Sequence, residues 1–218
     1  ERARVLEHLV LPSKKSTKSD PSIVKGQYTT YKTIPDVPEN SCTETYFAIQ
    51  TNIRNARWRG VPFYLEHGKG LEKNTVEIIV RFRESHHCIR STEDDTQENE
   101  YANIVHFIIS PHEEITVRFW ARNPKESNKL EPRDFAFLKK EDSKQADALV
   151  RNGYEAVLFD ALTGDQTLFV SNREQTAQWR FVTRILEKWE GECPLPYAKG
   201  SNGPDAPLVR TIQKNANY

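Results

Sequence analysis

Few residues in this sequence are spaced to do chemistry, and the most suggestive are Gly68-Lys69-Gly70, which follow His67 and close the strand-like run Val61 to Glu66. Two glycines free the backbone to turn, and the lysine between them presents a mobile cation suited to a phosphate or a sugar hydroxyl. The same triplet also reads as a plain hairpin turn carrying a solvated lysine. His86-His87-Cys88 gathers metal-capable groups, but neighbours along a strand point to opposite faces and do not converge on one ion. His8, His106 and His112 have no sequence-local carboxylate or nucleophile pattern that assigns a role, and no Ser/His/Asp or Cys/His constellation can be defended. The loops that admit a pyrophosphate, G-x-G-x-x-G and G-x-x-x-x-G-K-[ST], do not occur. No catalytic, metal-binding or cofactor-binding residue is therefore assigned. Trp58, Trp120, Trp179 and Trp189 are expected as core or interface anchors rather than stacking platforms for bases.

The elements that would position Lys69 are legible as period-two segments. Phe47, Ile49, Thr51 and Ile53 alternate with more polar neighbours within Thr43 to Arg54, after the proline-rich passage Ile34 to Pro38. Val76, Ile78, Val80 and Phe82 repeat the pattern, followed by the apolar run Ile104 to Ile109. Ile115, Val117 and Phe119 then oppose Thr116, Arg118 and Trp120. A mostly antiparallel sheet follows from these runs. The polar insert Ser91 to Glu100 reads as a solvated loop.

Helical spacing marks other stretches. Val5, Leu6, Leu9 and Val10 predict a short helix from Arg2 to Leu11, ended by Pro12 and a polar loop. A second helix is expected from a capping box at Asp142 to Gln145 through Ala161. A third is expected with Asn172 as cap and Gln175 three residues on, and with Ala177, Phe181, Val182, Ile185, Leu186 and Trp189 as its apolar stripe. Strands first and helices later predict an α+β domain with helices packed on one face of a large sheet. Gly164-Asp165-Gln166-Thr167 between two helices reads as a helix stop and turn.

The 31 basic residues balance 31 acidic ones, so no global field draws the chain to nucleic acid or an anionic membrane. No apolar run is long enough to cross a bilayer and no secretion signal is evident, so a soluble protein is expected. Cys42, Cys88 and Cys193 are too few and too scattered for a disulfide framework and suit a reducing cytoplasm. Methionine is absent and the chain opens on Glu1, as in a processed product, an expressed fragment or a record with residues omitted.

One set of segments carries more than its parts. Arg4-Val5-Leu6, Val24 to Tyr28, Thr43 to Ala48, Arg57 to Leu65, Gly68-Lys69, Tyr154-Glu155, Leu158 to Val170, Trp179 to Val182, Pro194 to Tyr197 and Gly200 to Pro204 span nearly the whole chain. In order and spacing they resemble the C-terminal region of the glucose-6-phosphate dehydrogenases. That resemblance implies a single substrate-side and dimerisation domain over residues 1–218. It also implies a homodimer through the sheet and a cytoplasmic parent enzyme of the pentose phosphate pathway. The parent would oxidise D-glucose 6-phosphate to 6-phosphoglucono-lactone with NADP or NAD.

In this family the dinucleotide fold, the main substrate signature and the proton-accepting histidine lie upstream of the matching region. The chain by itself is therefore expected to be inactive and to bind no cofactor. One family substrate contact carries over to Lys69, whose ammonium would bond the sugar phosphate. A second basic contact falls at Asn74 here, with Lys73 one position short as a substitute, and a glutamine found in some members is Ser110. Members with a structural NADP have basic residues where this chain has Thr75, Ile108 and Ser171, although a matching tyrosine survives as Tyr197; no structural NADP site is expected. A different class of function, a stand-alone non-catalytic scaffold or sugar-phosphate sensor with the same fold, fits Asn74 and Ser110 as well.

Overall fold

The computed structural model describes residues 1–11, 22–83, 101–125, 130–138 and 153–216, in two compact units: Glu1–Lys73 with Arg151–Tyr218, and Asn74–Val150. The first unit is built on β3 (Tyr46–Ile53). Antiparallel to it run β1 (Leu9–Val10), β2 (Ile23–Tyr28) and β4 (Pro62–Gly68), and β9 (Leu195–Tyr197) adds a parallel edge to β2.

Successive residues on a strand face opposite ways, and here adjacent residues are apolar. Ile23 and Ile49 pair in register, as do Val24 and Ala48, so both faces of the sheet need cover. On one face Ile23 and Ile49 pack with Phe181, Ile185 and Trp189 of α3 (Asn172–Trp189). On the other, Val24, Tyr46, Ala48 and Tyr197 pack with Leu208 and Val209 of α4 (Pro207–Ala216). The α+β class stands, but in this unit the helices lie on both faces rather than one.

Of the expected stripe on α3, Ala177, Phe181, Ile185 and Trp189 are buried while Val182 and Leu186, one residue round the helix, are exposed, and the cap lies one residue earlier. Ser171 is the cap: its Oγ accepts from the Glu174 N–H, and Glu174 Oε2 accepts from the Ser171 N–H at 2.8 Å. Glu174 is only 6% exposed and also meets the Arg2 guanidinium at 2.7 Å. The hydrogen bonds from the Ser171 backbone and hydroxyl hold its carboxyl below the usual range.

Helix α1 spans Arg2–Glu7, shorter than the spacing of Val5, Leu6, Leu9 and Val10 indicates. Leu9 and Val10 instead pair with Ile53 and Asn52, a case of sheet pairing overriding local periodicity. Helix α2 covers Gly153–Thr163; the expected start at Asp142 lies outside the described residues. After it, Gly164 has a positive φ and Asp165 Oδ1 accepts from the Thr167 N–H and hydroxyl, the helix stop and turn the residues suggested.

The second unit is an antiparallel sheet in the order β5 (Val76–Arg81), β6 (Ile104–Ser110), β7 (Glu114–Arg122) and β8 (Leu130–Leu138). Register places Val80, Val105, Val117 and Phe135 in one row, and Ile78, Phe107, Ile115 and Phe137 in the next. Phe119 stacks on Phe135 with centroids 5.5 Å apart. The opposite face mixes apolar Ile79, Ile104 and Ile108 with polar pairs: Arg118 is held bidentate by Asp134 at 2.7 and 2.6 Å, and His106 Nε2 lies 2.8 Å from Glu77 Oε2. His86-His87-Cys88 and Ser91 to Glu100 lie outside the described residues.

Candidate functional site

Lys69 sits where β4 ends, and its backbone is held on both sides by groups far away in sequence. The Lys69 N–H donates to the Thr45 carbonyl at 2.8 Å. The Lys69 carbonyl accepts from the Tyr197 hydroxyl at 2.7 Å, across 128 residues. Thr45 Oγ1 lies 2.9 Å from that hydroxyl and accepts from the Tyr28 N–H at 3.0 Å. Donors and acceptors are all used if Thr45 donates to Tyr197 and Tyr197 donates to Lys69. The ends of β2, β4 and β9 and the approach to β3 are thus tied at one point, and the tie is buried at Thr45 and Tyr197.

Such a network is rigid because each buried polar group would be costly to leave unpaired. Burial pushes the Tyr197 phenol above its ordinary value, against the opposing effect of the Thr45 bond. Tyr46, beneath the turn, donates to Glu66 Oε1 at 2.6 Å; its own burial and then that carboxylate push its phenol well up. Both hydroxyls stay protonated and act as fixed donors.

The turn continues with Gly70 at φ +63°, a conformation that L residues other than glycine rarely adopt. Its carbonyl accepts from the Gly200 N–H at 2.7 Å, and the Glu72 N–H donates to the Ser201 carbonyl at 3.0 Å. A Cβ at Gly70 would stand 3.1 Å from Lys199 Cγ, so the Lys199 stem lies over the turn and brings a second ammonium to it. Nothing in the sequence around Lys199 signals this. Lys69 is exposed, and among the described residues no side-chain hydrogen bond or ion pair is recorded for its ammonium. A fixed backbone with an unengaged cation can bind an oxyanion without ordering the main chain, so that only the lysine side chain has to be immobilised.

Lys73 is exposed in the last stretch of the first unit, while Ser110 belongs to the second unit, exposed at the end of β6 and paired with Val76. Two carboxylate–histidine pairs were not apparent beforehand: His106 with Glu77, and His112 with Glu114 at 3.0 Å. Bonds from Thr116 and then His112 hold Glu114 below the usual carboxylate range. Cys42 and Cys193 also meet, with sulfurs 2.9 Å apart. Among the described residues no group of three or more His, Cys, Asp or Glu could hold a metal ion.

Comparison with known proteins shows what this arrangement belongs to. The family model for the glucose-6-phosphate dehydrogenase, C-terminal domain, matches residues 1–217 and so spans both units. The chain belongs to that family. Glucose-6-phosphate 1-dehydrogenase of Borreliella burgdorferi is 33% identical over 214 residues, covering 94% of this chain and 43% of the relative. The cytoplasmic isoform of Solanum tuberosum is 31% identical, covering 100% of this chain and 40% of the relative.

Two solved structures share the fold. The glucose-6-phosphate 1-dehydrogenase from Mycobacterium avium superposes with a TM-score of 0.72 at 26% identity, over 96% of this chain and 41% of that one. A glucose-6-phosphate dehydrogenase in complex with its substrate glucose 6-phosphate gives 0.74 at 25% identity, over 99% and 44%. The chain therefore spans about 40% of the length of the curated relatives it matches. Its α+β architecture is that of the glucose-6-phosphate dehydrogenase C-terminal domain.

Proposed function

We propose that this chain is the substrate-side and dimer-forming part of a glucose-6-phosphate 1-dehydrogenase. The whole enzyme would oxidise D-glucose 6-phosphate to 6-phosphoglucono-lactone in the pentose phosphate pathway, with NADP or NAD as hydride acceptor. The observation that carries the reading is the family match over residues 1–217. It is supported by a Gly-Lys-Gly turn whose backbone is locked at both ends while its lysine, among the described residues, makes no ion pair. In this reading Lys69 bonds the sugar phosphate, Lys73 adds positive charge near it, and Ser110 contributes a short hydrogen-bonding side chain. All three are binding groups; the proton acceptor and the cofactor site belong to the rest of the enzyme.

No bound nicotinamide cofactor is proposed for this chain itself. The positions implied for a structural dinucleotide are Thr75, Ile108 and Ser171, none cationic, and the Ser171 hydroxyl is committed to capping α3. Phosphates lose their charge-assisted partners there, so the residues do not fit that group. Homodimerisation is proposed through the second unit's sheet, because Ile78, Val80, Ile115, Phe135 and Phe137 form an exposed apolar face of the kind that marks an association surface. A cytoplasmic site is proposed from the cytoplasmic isoform among the relatives. Among the described residues no helix is long and apolar enough to cross a membrane.

The test is to express the complete reading frame that encodes this chain and follow reduction of NADP or NAD with glucose 6-phosphate, beside the 218-residue chain alone. Turnover by the complete frame and none by the chain alone is expected. Turnover by the chain alone contradicts the division of labour, and no turnover by the complete frame favours the scaffold or sensor.

A further inference from the structure

We propose that Cys42 and Cys193 form a reversible disulfide, and that this cross-link is an oxidation-sensitive staple on the Lys69 turn. The two sulfurs lie 2.9 Å apart and both residues are exposed. The backbone beside each cysteine is anchored to one strand. The amide of buried Gln27 donates to the carbonyls of Ser41 at 3.1 Å and Thr43 at 2.8 Å, the residues on either side of Cys42. Cys193 stands two residues before β9, where Leu195, Pro196 and Tyr197 pair with Gly26, Gln27 and Tyr28 of the same strand β2. Lys25 Nζ also bonds the Trp189 carbonyl at 2.8 Å and fixes the end of α3 from which Cys193 emerges. Both thiols are thus presented from one strand, in reach of solvent and of each other. Contact with the Cys193 sulfur raises the Cys42 thiol above its ordinary value.

The oxidant is a low-molecular-weight disulfide such as oxidised glutathione. A thiolate of one cysteine attacks a sulfur of that disulfide, breaking its S–S bond and releasing one small thiol, which takes up a proton. The second protein thiolate then attacks the protein sulfur of the mixed disulfide and expels the second small thiol. Two electrons and two protons pass from the protein to the two released thiols, and excess thiol reverses the sequence.

The position gives the bond its consequence. Thr45 follows Cys42 by three residues and Tyr197 follows Cys193 by four, and these two side chains fasten the Lys69 backbone. Joining the segments that lead into β3 and β9, just upstream of the clasp, restrains its opening. The cross-link itself does not depend on the sugar-phosphate reading.

The folded chain and its Cys42→Ser and Cys193→Ser variants are incubated with oxidised glutathione, quenched in acid, alkylated and analysed by mass spectrometry. The wild type is expected to lose two hydrogens, retain no glutathione at these positions and yield a linked Cys42–Cys193 peptide that dithiothreitol reverses. Each single variant is expected to keep a glutathionyl group on its remaining member of the pair. Oxidation is expected to raise the thermal midpoint by roughly 5 °C or more and to slow hydrogen exchange at the Lys69 amide about threefold or more. Glutathione on both cysteines without a link, or a link to Cys88 in their place, overturns the disulfide. A linked protein whose Lys69 amide exchanges as before overturns the staple.

Discussion

Replacing Tyr197 by phenylalanine removes one oxygen from the cluster that fastens the Lys69 turn and leaves the ring in place. Tyr197 is 4% exposed, with Tyr46 and Tyr28 ring centroids at 5.6 and 6.1 Å, and the phenyl keeps those contacts, so no cavity forms. Lost are the 2.7 Å bond to the Lys69 carbonyl, which is part-buried, the buried 2.9 Å bond with Thr45 Oγ1 and the longer 3.2 Å contact with the Thr45 carbonyl, which shares the same proton. At about 1 kcal/mol net for each bond, and somewhat more for the buried one, stability is expected to fall by about 2 kcal/mol. Urea unfolding of the folded chain reads this directly. Thr45→Val removes the same buried bond, so the double variant is expected to be less destabilised than the sum of the singles by about 1 kcal/mol. A Tyr197→Phe loss below about 0.5 kcal/mol, the level of an ordinary surface change, would refute the clasp. So would strict additivity with Thr45→Val.

Gly203→Ala is expected to cost about 3 kcal/mol by combining overpacking with a disfavoured φ. The new Cβ would stand 2.7 Å from the Tyr46 ring at φ +98°, and Tyr46 is buried in the core; a full-stability variant in urea unfolding would show that the ring yields. Tyr46 also sets an alkaline limit. Its phenol is raised in the folded protein above the ordinary 10.0, so above that pH the unfolded chain loses a proton that the folded one keeps. Stability is present below that pH and falls above it by up to about 1.4 kcal/mol per pH unit for this group. The fall is expected to be shallower in Tyr46→Phe, and equal slopes would be the contrary result. Phe135→Glu is expected to leave the second unit folded and to shift sedimentation from dimer to monomer; an unchanged dimer would place the interface elsewhere.

What could be read beforehand was local. β3, β5 and β7 follow from alternation, β6 from its apolar run, and the buried line Ala177, Phe181, Ile185 and Trp189 of α3 from its 3.6-residue period. β2 carries no such signal because Ile23-Val24-Lys25-Gly26 does not alternate: the strand is covered on both faces. β8 contains Pro132, which pairs opposite Trp120 on the last strand of its sheet, where a missing N–H is tolerated. β9 is only three residues with a proline at its centre, and its partner is remote in sequence. The α3 cap slipped by one because Ser171 with Glu174 and Asn172 with Gln175 both fit the same motif. At the site, Gly68-Lys69-Gly70 was legible because its chemistry is contiguous. Thr45, Tyr197, Lys199 and the Cys42–Cys193 pair were not, because only the tertiary fold brings them together; the two cysteines are 151 residues apart.

The role of Lys69 is tested most directly by steady-state kinetics of the protein expressed from its complete reading frame. Glucose 6-phosphate is compared with unphosphorylated glucose, for wild type and Lys69→Ala. A charge-assisted bond of about 1.5–3 kcal/mol corresponds to a loss of roughly 10- to 100-fold in kcat/KM for glucose 6-phosphate, carried mainly by KM. Activity on glucose is expected to change little, so the preference for the phosphorylated sugar collapses by the same factor. An unchanged preference, or an equal loss on both sugars, would contradict the assignment of the Lys69 turn as the phosphate contact.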